Sequence, residues 1–298
     1  ARDRVEYDGV IISGDLDIDR LEDLPTVKED NLYLEPHDNL YSNKKLVESI
    51  IKITNSTIRG RVNFSNTIFH KSVDFNGTLF LGYAGFRGAH FREETNWSNG
   101  TFFQYADFLG SEFNEYVTFG NTQFKDYADF EGAYFRDNAN ISSRFMNIAD
   151  FKYAQFNRTA DFSSAKFNDM AYFFEAGFND SAYFLDAGFN GYASFWGAGF
   201  KGFTYFREAR FNDIAYFYGA EFNGSTVFWN ARFNDTADFY RAGFNDTVYF
   251  NDAIFNYTAN FEGTNFGSIS EILNESFTST TDLSKGNLSV TMNSSDLG

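Results

Sequence analysis

Three histidines, His37, His70 and His90, are the only imidazoles in this 298-residue chain, and it has no cysteine. The histidine spacing matches no metal-ligand pattern, and without thiols there is no metal–thiolate site, disulfide or cysteine nucleophile. Carboxylates are plentiful, with 41 Asp and Glu against 24 Lys and Arg for a net charge of −17. None stands apart as an acid–base pair. Asp180, Asp235 and Asp246 each follow an asparagine of the kind found in turns, a setting suited at most to weak structural calcium. The Gly-Gly-x-Gly-x-Asp pattern of calcium-binding solenoids is absent, as are a phosphate-cradling glycine loop and a Ser/His/Asp set. The sequence therefore predicts no catalytic residue, no cofactor and no enzymatic activity. Its acidity disfavours nucleic acid and anionic membranes, and no run of about 18 apolar residues is present to cross a bilayer.

A different chemistry is written in asparagine. Fifteen Asn-x-Ser/Thr triplets begin at Asn55, Asn63, Asn76, Asn96, Asn99, Asn140, Asn157, Asn179, Asn223, Asn234, Asn245, Asn256, Asn274, Asn287 and Asn293. Such triplets accept N-linked glycans in exported proteins. Turn chemistry explains part of the number, because Asn, Asp and Thr bond their own local backbone and a duplicated turn duplicates the triplet. The triplets at 274, 287 and 293 fall where no repeat is evident, so glycosylation of several and an extracellular, cell-surface or envelope location are expected.

What positions all these residues is a repeat. Forty of the residues are Phe and only two are Pro. From Phe151 to Phe266 a phenylalanine recurs at gaps of five and six in strict alternation: 151, 156, 162, 167, 173, 178 and onward. The alternation runs back through Phe135, Phe130, Phe124 and their predecessors to Phe64, with Trp97 in one place, and Ile58 and Ile53 continue it. One residue is missing between Ile141 and Phe151, with Phe145 or Met146 in the intermediate place, which predicts a shortened corner and a local bend. Two residues before most of the phenylalanines sits a small one, such as Ala160, Ala171, Ala182 and Ala193. Residues two apart share one side of an extended segment, and a five–six period does not fit a helix. Each unit reads as a short strand with Ala and Phe inward, followed by a corner.

Ala-Asp-Phe at 106–108, 128–130, 160–162 and 237–239 resembles the motif of the pentapeptide-repeat family, a small residue, a polar one and a central Phe or Leu, here with a residue inserted in every second unit. The resemblance covers about residues 53–266 and implies an all-β, right-handed, four-sided parallel β-helix. Four units make a coil of 22 residues, and the surface supports that figure: Asn157, Asn179, Asn223 and Asn245 open glycosylation triplets at multiples of 22, whereas Asn168, Asn190 and Asn212 in the alternate register do not. The flanks divide accordingly, into an N-terminal cap or assembly segment at 1–52, the solenoid at 53–266, and a Ser/Thr/Asn-rich tail or donated strand at 267–298.

Outward-facing aromatics complete the reading. The residue after the central Phe points outward, so Phe174, Trp196, Tyr218 and Tyr240 fall into one column at spacings of 22, flanked by Tyr172 and Tyr216. Tyr183, Tyr205 and Tyr249 line the opposite side, with Trp229 beside them. Contiguous aromatic area on an acidic rod is a candidate contact surface. Together with the glycosylation triplets it points to a secreted structural protein, of surface-layer or sheath type, whose partners are copies of itself. Two other readings compete. An adhesin would stack polysaccharide on these rings. The acidic charge instead suits an imitation of duplex DNA that binds a topoisomerase, a property the resemblance also carries, although such an imitation would display carboxylates where these columns display rings.

Overall fold

The structure, a computed structural model, describes residues 4–21, 24–28 and 43–269. These residues form an all-β parallel solenoid of about ten turns, and no α-helix occurs among them. Four short strands make each coil. One complete turn runs Gln155–Phe156, Ala160–Asp161, Lys166–Phe167 and Ala171–Tyr172, and the next begins at Gly177–Phe178. Taking Ala160–Asp161 and its stacked equivalents as the first face, Lys166–Phe167 lies on the second, Ala171–Tyr172 on the third and Gly177–Phe178 on the fourth. The first and third faces are therefore opposite. The second and third are eleven-stranded ladders, and the first and fourth belong to a single 22-stranded sheet. At about 4.8 Å per coil, eleven strands give a rod about 50 Å long.

The register between coils is the expected 22. Ala171 pairs with Ala193, then Ala215 and Ala237, and the same step repeats on every face of the regular region. The alanines and the regularly spaced phenylalanines of that region are buried, most with no exposed surface. Each Phe stacks on its equivalent one coil away, as in Phe173–Phe195 (4.8 Å, 2°) and Phe195–Phe217 (4.9 Å, 3°). Phe rings on opposite faces meet edge to face, as in Phe173–Phe184 (5.6 Å, 89°). The small residue two places earlier leaves room for these rings. Trp97 substitutes for Phe in one layer, and its indole N–H has no partner among the described residues.

The two kinds of gap are two kinds of corner. In the five-residue corners the second residue after the Phe takes positive φ and the third N–H bonds back to the Phe carbonyl, as in Ala220 N–H to Phe217 O (3.1 Å). That is the geometry of a type II turn, which favours glycine or asparagine at the positive-φ place. Gly197 and Gly219 occupy it, but so do Tyr153, Glu175 and Arg241. Where the position after next is Ser or Thr, its hydroxyl adds a bond to the coil before: Ser111 to Phe86 O (2.8 Å) and Thr122 to Trp97 O (2.8 Å).

The missing residue is located by this pattern. Between Ile141 and Phe145 no residue has positive φ, and Ser143 N–H bonds to Ile141 O at 2.7 Å, one residue nearer than in the other corners. The left-handed residue is the one deleted. Phe145 rather than Met146 takes the core place, and Met146 is exposed. The ring stack passes through unchanged, with Phe124–Phe145 at 4.9 Å and 3°. Any bend is confined to the turn.

The N-terminal segment continues the ladder of the solenoid. Arg4–Asp8 pairs in parallel with Ile50–Thr54, Ile11–Ile12 with Thr57–Ile58, and Leu16–Asp17 with Val62–Asn63. Residues 4–17 are thus three sides of a first coil. The fourth side is Asn43–Val47, which pairs with Thr67–Phe69 and, on its other edge, antiparallel with Thr26–Lys28. A capping element exists, but it is this hairpin, which covers one edge of the first coil. In the C-terminal direction the ladder reaches Asn265–Ile269; the rest of the tail lies outside the described residues.

Two substitutions test this account. Phe195→Ala removes a fully buried ring from the stack and is expected to destabilise the solenoid by about 3–5 kcal/mol in urea denaturation. Gly219→Ala is expected to cost about 1 kcal/mol, all of it from the backbone, because an added Cβ meets nothing within 4 Å and φ is +60°. An unchanged Gly219→Ala midpoint would show that the left-handed corner carries no conformational cost.

Candidate functional surface

The third face carries the most organised surface chemistry. In its N-terminal half it is a tyrosine–aspartate column. Tyr83, Tyr105 and Tyr127 each donate a hydroxyl to the aspartate one coil further on: Asp107 (2.9 Å), Asp129 (2.7 Å) and Asp150 (2.9 Å). The other carboxylate oxygen accepts the backbone N–H two residues later, from Leu109, Glu131 and Lys152. The three aspartates are register partners on adjacent coils and are 5 %, 4 % and 1 % exposed. Lys152 Nζ lies 2.6 Å from Asp150.

Electrostatics follow from this stacking. Burial pushes the Asp129 carboxyl up to about 6, aided by the charges of Asp107 and Asp150 above and below it, against the opposing effect of its two hydrogen bonds. Burial likewise raises the three phenols, and the neighbouring carboxylates add to the shift. On the fourth face the sign reverses. Burial alone would raise Glu112, but His90, 2.7 Å away, and the Arg136 guanidinium hold it down at about 2.

The C-terminal half of the third face is aromatic. The predicted column exists: Phe174–Trp196 at 5.0 Å, Trp196–Tyr218 at 5.7 Å and Tyr218–Tyr240 at 5.3 Å, with Tyr153 against Phe174 at 5.2 Å. Tyr172, Tyr192 and Tyr216 form a second line beside it, at 6.3 Å steps. Trp196 is 47 % exposed. Lys152 lies over the Tyr172 ring and Arg241 over the Tyr240 ring. On the opposite first face Tyr183 stacks on Tyr205 at 5.1 Å, and Trp229 meets Tyr249 edge-on at 6.1 Å. The exposed Phe203 joins them.

The asparagines form ladders. On the second-face corner Asn256, Asn234, Asn212 and Asn190 each donate Nδ2 to the Oδ1 one coil earlier, at 2.7, 2.7, 2.7 and 3.0 Å. On the fourth-face corner Asn179 donates to Asn157 and Asn245 to Asn223. The two registers that differ in glycosylation triplets are thus structurally alike, and triplet and non-triplet asparagines share one ladder. Among the candidates, Asn55, Asn99, Asn223, Asn234, Asn245 and Asn256 are exposed, Asn55 also bonding Asp8; Asn76 lies half-buried in a corner, and Asn96 and Asn140 lie half-buried on their strands. Asn63 is buried, and its amide nitrogen donates to both Asp17 and Asp19. Asn274, Asn287 and Asn293 lie outside the described residues.

The calcium candidates are not brought together. Asp180 and Asp246 follow fourth-face phenylalanines, whereas Asp235 follows a second-face one, and each carboxylate caps its own turn through the next N–H. Among the described residues no group of three or more His, Asp or Glu side chains is arranged to hold a metal. His70 and His90 lie in successive coils, and His90 serves Glu112; His37 lies outside the described residues. The tyrosine–aspartate column was not anticipated, although Tyr-Ala-Asp at 105–107 and 127–129, one coil apart, signals it.

A phenylalanine-cored solenoid with short two-residue strands defines a repeat protein whose distinguishing features lie on its faces. The family model of pentapeptide repeats matches residues 75–123 and 151–199, in nine copies. Those two stretches carry pentapeptide repeats. Neither a curated protein nor a solved structure matches it.

The opposed shifts make a pH prediction. Asp129 is raised in the folded state, so its contribution is full below its unfolded value near 3.8 and is lost as pH rises through about 6, on the order of 3 kcal/mol at most. Glu112 is lowered, so its contribution is present above 4.5 and is lost as pH falls toward 2. Thermal melting is expected to be best at about pH 4, where the two windows overlap, and Asp129→Asn should flatten the decline between pH 4 and pH 6.5. An unaltered pH profile in Asp129→Asn would show that this carboxyl titrates normally.

Proposed function

We propose that this protein is a secreted structural component of the cell surface, a subunit of surface-layer or sheath type that assembles with copies of itself. The observation that carries the reading is the aromatic half of the third face. From Tyr172 to Tyr240 rings are arrayed coil after coil on a rigid β-scaffold, with Trp196 at its most exposed point. A patch of this kind loses less side-chain entropy on docking than a flexible one, because each ring is already held by its neighbours. Exposed asparagines of glycosylation triplets on the fourth-face corner, such as Asn223 and Asn245, fit a chain exported and modified while its aromatic faces stay clear for contact.

A second reading has support from the same rings. Trp196 and Trp229 are each exposed by more than two fifths, and exposed indoles stack on sugars, so the face also suits a polysaccharide adhesin. Imitation of duplex DNA is less well supported, since Asp107, Asp129 and Asp150 are buried under tyrosine hydroxyls and a phosphate-like array needs displayed charge.

Electron microscopy of native protein over a range of concentrations tests the proposal, with ordered sheets, tubes or filaments expected. Isolated rods about 50 Å long at every concentration would remove the structural role. Glycan binding lost in Trp196→Ala would then establish the adhesin.

A further inference from the structure

Resting on the self-assembly reading, the geometry points to its mode: we infer that copies dock face to back, third face onto first face, in open rows of rods. Four coils carry both platforms. On the third face they are Phe174, Trp196, Tyr218 and Tyr240; on the first face, Tyr183, Tyr205, Trp229 and Tyr249. Because the first and third faces are opposite in a four-sided coil, a contact on one leaves the other open. An interface joining two different surfaces by translation does not close, so it propagates as a row.

Charge at the platform ends suits this pairing. The third-face platform has a cation at each end, Lys152 over Tyr172 and Arg241 over Tyr240. The first-face platform has a carboxylate at each end, Asp161 beside Tyr183 in the ladder and Asp246 in the corner leading to Tyr249. Each pair is four coils apart. Lys152 and Asp161 lie nine residues apart along the chain and Arg241 and Asp246 five, each less than half a coil. Translating one rod sideways therefore brings Lys152 level with the neighbour's Asp161, and Arg241 level with its Asp246. Third face against third face would oppose cation to cation, whereas third face on first face sets cation against carboxylate whether the neighbour is parallel (Lys152 with Asp161, Arg241 with Asp246) or antiparallel (Lys152 with Asp246, Arg241 with Asp161). The two remaining faces are polar: the second carries Arg144, Lys166, Arg210 and Arg232 with an asparagine ladder, and the fourth has small or polar residues at the equivalent places, Gly177, Gly199 and Glu221.

Two double variants decide the matter by sedimentation velocity, with circular dichroism and melting as folding controls. One is Trp196→Glu with Tyr218→Glu on the third face; the other is Tyr205→Glu with Trp229→Glu on the first. Face-to-back docking makes each variant monomeric alone and makes their equimolar mixture dimeric, since one intact copy of each surface remains. Dimers of either variant alone would overturn the face-to-back pairing in favour of like-with-like contacts while leaving self-assembly standing. Undiminished polymers of either variant would show that these faces are not used. A wild-type chain that stays monomeric would overturn the self-assembly reading itself, and polysaccharide binding at Trp196 would then name the occupant. Should a face variant fail to fold, the charge pair serves instead. Arg241→Glu is expected to weaken association at least tenfold, and its rescue by Asp246→Arg assigns parallel rods and by Asp161→Arg antiparallel ones; rescue by neither would overturn the face-to-back charge pairing.

Discussion

Everything in this protein is arranged around the stacking of one phenylalanine on the next across the spacing between parallel strands. Backbone hydrogen bonding fixes coil separation near 4.8 Å, and ring centroids in the core lie at nearly the same distance, as in Phe195–Phe217 at 4.9 Å. The two spacings agree, so a flat ring satisfies the core without displacing the ladder. A branched aliphatic side chain also fits, as Ile53, Ile58 and Ile141 show, but only an aromatic ring can stack flat on its equivalent one coil away. The position two residues earlier belongs to the same constraint: it holds a small residue such as Ala or a compact β-branched one such as Thr204, Thr226 or Val248, and the rings stay stacked, as in Phe206–Phe228 at 5.0 Å.

With the interior so uniform, differences between coils are free to accumulate outside. Outward positions on the third face change from tyrosine–aspartate bonds to packed rings without any change beneath them. The first half of that face is satisfied within the chain, since each hydroxyl has its carboxylate and each carboxylate its N–H. The second half has ring contacts along the rod but nothing above it among the described residues. This contrast, more than hydrophobicity as such, separates a face that is finished from one that is suited to a partner.

Much of this was legible in the chain because a 22-residue register transfers directly into neighbours in space. The buried Phe positions, the coil length and the aromatic column of Phe174, Trp196, Tyr218 and Tyr240 follow from counting. Three features did not. Residues 4–17 belong to the first coil although a long excursion separates them from the second, so periodicity could not connect them. Tyr105 and Asp129 meet because one coil plus two residues separates them, an offset that a search for equal spacing passes over. Asn63 has the same triplet as Asn223, yet the first coil places Asp17 and Asp19 around it; a motif of three residues carries no information on what packs beside it.

The shortened corner at 141–145 bears on how such a chain is lengthened and edited over generations. The residue it lacks is the one that no strand, ring or coil-to-coil hydroxyl bond requires, and Ser143 still reaches Phe119 O at 2.6 Å. The excursion between Asp17 and Asn43 shows the opposite change, many residues added at a corner with the register resumed afterwards. Phase in this fold is therefore kept by rings rather than by residue count. A duplication or recombination event that misjudges a corner by a residue still yields a continuous core, so the lineage can change the length of its rod and the pattern on its faces in small, separately tolerated steps.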